Sequence, residues 1–507
     1  VFFAIFQANE LAGQDNVEAK PRLTISRETT FFTEPIRADG SIDFVAAINN
    51  EFGKGVKPEE NACTYLHRAF GPIKELPPSF YAELGIERPP AEGQYLQPFP
   101  LPRAIAELPA ERLEKVLDHA EAAVARPWTR QECPELGAWL DAHREPLELV
   151  HAAARCQKFY SPLSDEFINV EPTKGGPLLA VLLPGASKMR MAGRMLCSRA
   201  MLQLGEGDAE GAWADLIACR RLGRLASVGP TLVETLVGHS IENMSSRGIL
   251  TLLEQTRPSS ATVKQYRNDL KKLPPIVSVR GIVNVSERCT YIDAMLTIAW
   301  GQPDAMELLG VEAEVGEAAQ MFRRVNIRPF DWDEALKTGN AYYDRLVNAM
   351  QLPTHAERRA AMQKLNVDLK KQATLRDFVP HGKRDIESAR AFASVMAALM
   401  LPSLARVREG EDVLRQTATN IDVALALRGF CNDQHRYPEQ LEELVPKYLA
   451  KMPVDQFTGG SPIYRQTGAG YLLYSVGPNT RDDGGRTDGK ADDLAVTVDS
   501  TNDEPEP

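Results

Sequence analysis

MLPSLARVREGEDVLRQTATNIDVALALRGFCNDQHRYP (Met400–Pro438) is the stretch on which the fold turns. Met400, Leu404, Val407, Leu414, Ala418, Ile421 and Leu425 fall at helical steps and draw one apolar stripe, with Glu411 the only charged interruption. Pro402 lacks an N–H and is expected to kink this helix near its start, while Gly429, Asn432 and Asp433 supply its stop. Pro438 then opens a short helical turn carrying Leu441, Leu444, Val445, Tyr448 and Leu449. Beyond it, Pro462–Arg465 and Tyr471–Val476 alternate as strands do and join across Thr467–Gly470 as a hairpin; Leu494–Val498 supplies a third strand. The pattern predicts a long helix whose stripe is covered by a small antiparallel sheet.

Upstream, helical periodicity dominates. Residues 111–126, 145–159, 187–204, 231–255, 263–272, 287–300, 331–350 and 356–369 all carry apolar side chains at helical intervals. The most legible piece is RAMLQLGEGDAEGAWADLIACRRLGRL (Arg199–Leu225), where the GEGD break ends one helix and Asp208 is placed to cap the next. Between 71 and 109 the prolines are dense, so helix is interrupted, yet Phe80, Tyr81, Tyr95, Leu96 and Phe99 give this connection apolar surface with which to wrap the body. The fold class is α+β. It comprises a polar lead-in (1–26), a mainly α-helical body (27–384), a helix-and-sheet domain (385–498) and an acidic tail (499–507) without apolar anchors, expected to be disordered.

A formal net charge of −11 argues against nucleic acid as a partner, because phosphate binding needs a concentrated basic face. The seven cysteines form neither CxxC nor a zinc-spaced pattern with histidine, and Cys156, Cys197, Cys219 and Cys289 sit among Ala, Leu and Met. They read as buried, reduced, small apolar side chains, with disulfides the alternative in an exported protein. VFFAIFQ (Val1–Gln7) is far shorter than the ~20 residues a bilayer span takes; it fits the tail of a signal or of a membrane anchor upstream of Val1. Ala391–Leu401 is strongly apolar but short, and Pro402, Arg406 and Arg408 close it.

Candidate chemistry is sparse. Glu148 and His151 have the Glu-x-x-His spacing of a metal-binding helix, but a dinuclear site needs a second copy, and none is found. Gly238–Glu242 (GHSIE) resembles a nucleophile elbow without its final glycine, and it lies in a helical pattern. Pro380–Asp385 (PHGKRD) sets His381 among cations before a helix start, as an anion-binding loop would. There is no Walker A, dinucleotide-binding or HExxH motif. No catalytic and no cofactor-binding residue is assigned.

The C-terminal motifs occur in a telling order: the helix, HRYP (His435–Pro438), MPVDQFTGGSPIYR (Met452–Arg465) and LYSVGPN (Leu473–Asn479). Together they resemble the globular domain of the type II secretion major pseudopilin family. That resemblance implies a helix packed on a small sheet, a cell-envelope setting outside the cytoplasm, and Ca²⁺ in the loop after the Tyr-Ser run. The implied ligands are the Val476 carbonyl, Asn479 where the family has Asp, Asp492 and Asp493, with Asp482, Asp483 and Asp488 between them. Calcium takes six to eight oxygens at ~2.4 Å, which such a loop can offer. The family's membrane-inserted helix opens the mature chain, whereas here a long body precedes the module, so assembly into a pseudopilus is not implied. Arg27–Ala62 resembles the opening of envelope-associated proteins of planctomycete bacteria, which carry no activity over. The reading is a noncatalytic structural or protein-interaction component of a bacterial envelope, with envelope proteins as partners. A hydrolase with its site in a groove of the body, or a carbohydrate- or peptide-binding module, is the alternative.

Overall fold

The computed structural model describes residues 23–99, 108–164, 178, 181, 183–300, 331–372, 386–468, 470–488 and 490–498. Its spine is a single helix, Ile386–Gln434, with Pro402 in its interior. Phe392, Met396, Leu401 and Leu404 pack with Tyr291, Trp332, Leu336 and Tyr343, and with Ile42, Phe44 and Ile48 from the opening segment. Further along, Ile421 and Leu425 join the cluster built by helices Pro184–Gly205, Ala209–Ala226 and Leu232–Thr256. Val423 and Leu427, two residues on and so across the helix, meet Leu473 and Val496 of the sheet.

The helix therefore has two apolar faces. The stripe read from sequence faces the helical body at Leu404, Ile421 and Leu425, and a second face covers the sheet. Ile386–Leu404, grouped by sequence with the sheet, is likewise packed into the body. Glu411, the charged interruption, is fully buried and accepts from the Val279 N–H (3.0 Å) and Arg415 Nε (2.9 Å). Those bonds offset the desolvation that would otherwise make a buried carboxylate costly.

The sheet is antiparallel in the order β1 (Ile463–Thr467), β2 (Gly470–Ser475), β3 (Leu494–Val498). Leu473 pairs with Tyr464 on one side and Val496 on the other. Cap chemistry sets the body's helix starts, at Asp208 as the sequence predicts. Asp43 accepts from Ala46 N, Asp208 from Gly211 N and Asp331 from Glu334 N, and Thr231 with Glu234 forms a capping box. Helices Ala209–Ala226 and Leu232–Thr256 cross glycine on glycine, since a Cβ at Gly238 would sit 2.4 Å from the Gly223 carbonyl oxygen. In the proline-dense connection Tyr81 and Leu96 are buried, and the Leu96 N–H bonds to the Ala69 carbonyl (2.8 Å).

Among the described residues, Ile386–Gln434 is the one helix long and apolar enough to cross a membrane, yet 56% of its most apolar window is buried inside the protein. The described cysteines are free thiols, all buried except Cys431, and Cys197 Sγ lies 3.4 Å from Cys219 Sγ.

Leu425→Ala should lower unfolding free energy by about 2–5 kcal/mol in denaturant titrations, because a fully buried leucine leaves a cavity. Val367→Ala, at a side chain 59% exposed, should change it by less than ~0.5 kcal/mol.

Candidate metal centre

The loop from Val476 to Asp493 carries the chain from β2 to β3. Its two ends touch at Gly477, whose φ of 65° and a hypothetical Cβ 2.1 Å from the Asp492 carbonyl oxygen leave room for glycine alone. That contact brings the Asn479 N–H to Asp492 Oδ2 (3.0 Å). Across the loop, Asp493 Oδ2 accepts from the N–H groups of Asp483 (3.2 Å) and Gly485 (2.7 Å). The outcome is a convergence of Asp483, Asp492 and Asp493, whose ligating oxygens lie within 4.8 Å of one another. Among the described residues it is the one place where three metal-ligating side chains meet.

Two of those oxygens have nothing to bond. Asp492 Oδ1 and Asp493 Oδ1 are buried without a hydrogen-bond partner, and the Asp493 residue is only 1% exposed. Burial pushes the Asp493 carboxyl up, and the charges of Asp483 and Asp482 add to the rise; the Gly485 and Asp483 N–H groups oppose it in part. Asp482, by contrast, is held below its usual range by the Gly484 N–H and the Tyr474 hydroxyl. A buried carboxylate with an empty oxygen facing two further carboxylates suits a hard cation, and the spacing is not specific to calcium.

The sequence-predicted ligands are sorted by this geometry. Asp492 and Asp493 converge, and Asp483, which the sequence placed only in between, is the third member. The Asn479 side chain lies beside them, its Oδ1 accepting from the Arg481 N–H (2.6 Å) and its Nδ2 donating to Asp483 Oδ2 (3.1 Å). Val476 is buried at the loop's start. Nothing in the spacing of the loop's aspartates singled out Asp483; its N–H bond to Asp493 and the Asn479 amide on its carboxylate place it there.

Elsewhere, three buried acidic groups face arginines: Asp215, Glu242 and Asp412. His151 pairs not with Glu148 but with Asp215 Oδ1 (2.6 Å), and Asp215 also receives Arg199 Nε and Nη2, each at 2.7 Å. Burial pushes the Asp215 carboxyl up, but Arg199 and His151 outweigh it and hold the group below its usual range. Gly238–Glu242 lies within a helix, with Gly238 at the helix crossing and Glu242 bound by Arg220 (3.0 Å) and Arg224 (3.1 Å). Asp412 is held by Arg408 (2.6 Å), Arg358 (2.7 Å) and His355 (3.3 Å). Pro380–Asp385 lies outside the described residues.

A cavity of about 20 Å³ brings Cys63, His67 and Glu234 together, which is space for a water rather than a substrate. Burial drives the Cys63 thiol far up and lowers His67 to about 3, the reverse of an activated thiolate–imidazolium pair. A larger groove, about 910 Å³, separates the helix Leu232–Thr256 from β3. No family model matches the sequence, and no curated protein or solved structure matches it either.

In cation-free buffer, Asp493→Asn should raise the melting temperature at neutral pH. A raised folded-state pKa means that ionisation opposes folding, so the gain should appear as pH rises above the usual carboxyl value of 3.8 and vanish below it. Burial also raises Glu234 from 4.5 to about 7, so its contribution to stability is whole below 4.5 and lost as pH climbs through 7. Glu234→Gln should flatten that decline in denaturation curves taken from pH 5 to 8. Glu287, raised to about 7 by its own burial, leaves a residual slope.

Proposed function

We propose that this protein is a noncatalytic protein-interaction component of a bacterial cell envelope, lying outside the cytoplasm, with a calcium ion held at the loop between β2 and β3. The pair of buried, unpartnered carboxylate oxygens on Asp492 and Asp493 beside Asp483 carries the cation part of this reading. Calcium accepts irregular, many-oxygen coordination, and magnesium does so poorly. The resemblance of the helix-and-sheet region to the major pseudopilin family supports both the ion and the setting.

The interaction reading is supported by the shape and lining of the molecule's larger openings. The groove beside β3 combines Leu250, Leu253, Tyr437 and Tyr471 with arginines and holds no paired acid and base. Asp215, Glu242 and Asp412 of the helical body are tied into ion pairs, which favours a structural role for them over the hydrolase alternative.

Calorimetry and thermal melting of the intact chain test the ion. Calcium at a hundredfold excess over its dissociation constant should stabilise the fold by about 2.7 kcal/mol. Magnesium should give a smaller shift, and Asp492→Ala with Asp493→Ala should abolish the calcium response. Absence of both binding heat and melting shift would reduce the loop to a polar connection.

A further inference from the structure

We infer that the groove beside β3 binds an extended, acidic peptide segment of a partner by strand addition, which names the partner chemistry for the interaction reading above and rests on it. Among the described residues β3 is an edge strand, paired with β2 alone, and its residues Ala495–Val498 line the groove together with Tyr471 of β2. A strand edge presents backbone donors and acceptors, and an added strand satisfies them in register. The opposite wall is the helix Leu232–Thr256, which contributes Leu250 and Leu253. These are partly exposed yet packed against both the body and the sheet clusters, so the wall is firmly placed and offers apolar surface between its polar side chains.

Charge selects the peptide. In a chain of net charge −11, the groove gathers Arg247, Arg257 and Arg428 against the single carboxylate of Glu254. Arg428 Nε is buried and has no hydrogen-bond partner. A side-chain carboxylate entering between Arg247 and Arg428 gains charge-assisted hydrogen bonds, while its alternate apolar neighbours face Leu250, Leu253 and Val498. The groove has a volume of about 910 Å³, within the range of ligand-binding clefts.

Cys431 gives a direct reporter, because it lines this groove and is the one described cysteine that is not buried. The rate of its alkylation by iodoacetamide in the intact chain would be followed with a synthetic decapeptide alternating valine with aspartate or glutamate. A lysine-for-acid counterpart and two versions N-methylated on either set of alternate backbone amides serve as comparisons, and Cys431→Ser identifies the reporting thiol. The acidic peptide should slow alkylation several-fold, with protection weakening as salt rises. Arg247→Glu, at an exposed position, should weaken it further, and one N-methylated version should fail. Equal protection by the lysine peptide, or none by the acidic peptide at millimolar concentration, overturns the inference; equal protection by both N-methylated peptides overturns strand addition. The calcium response is read separately by melting, so loss of peptide protection with that response intact falls on the groove alone.

Discussion

A row of polar side chains buried along one edge of the long helix holds the rest in place. Arg408, Asp412, Gln416 and Asn420 follow one another at four-residue intervals, and none is more than 8% exposed. Arg408 binds Asp412 (2.6 Å), Gln416 Nε2 donates to Asn420 Oδ1 (2.7 Å), Gln416 Oε1 accepts from the Gln456 N–H (2.8 Å), and Asn420 Nδ2 donates to the Leu494 carbonyl (2.8 Å). Polar groups so deeply buried are costly unless their partners are in place, which makes the arrangement specific as well as stable. Through Asn420 the helix fixes the start of β3. Asp492 and Asp493 immediately precede that point, and the groove lies along the strand that follows it. Acidic cluster and groove thus share one anchor.

Three carboxylates of the body differ from those of the loop. Glu242 and Asp412 are each met by two arginines, and Asp215 by Arg199 beside His151, so their charge is compensated inside the protein. The loop gathers Asp483, Asp492 and Asp493 with backbone N–H groups as their main donors, and two oxygens are left over. Those three body carboxylates have their partners within the chain, whereas the loop keeps carboxylate oxygens of the kind a hard cation takes.

The groove arises for a related reason. A helix with apolar residues on two faces can serve two layers, and Ile421 with Leu425 looks to the body while Val423 with Leu427 looks to the sheet. Wherever those layers diverge, a cleft opens between them. It does so beside β3, where Leu250 and Leu253 touch both clusters without closing the gap.

Local chemistry was readable from the residues alone. Asp208 starts a helix because a side-chain acceptor satisfies an otherwise unpaired N–H within a few residues, and the strand alternation around Leu473 needs only its neighbours. Assignments that depend on distant partners were not readable. Which face of the long helix meets the sheet, the pairing of His151 with Asp215 rather than Glu148, and the entry of Asp483 into the acidic cluster are set by contacts between separate elements. Gly238 shows the difference in one residue: a motif glycine in sequence, it is required in the fold because the Gly223 backbone passes too close for a side chain. Sequence fixes what a segment becomes when its own hydrogen bonds decide, and tertiary structure decides which charges are left without partners, since partnership is settled by packing across the chain.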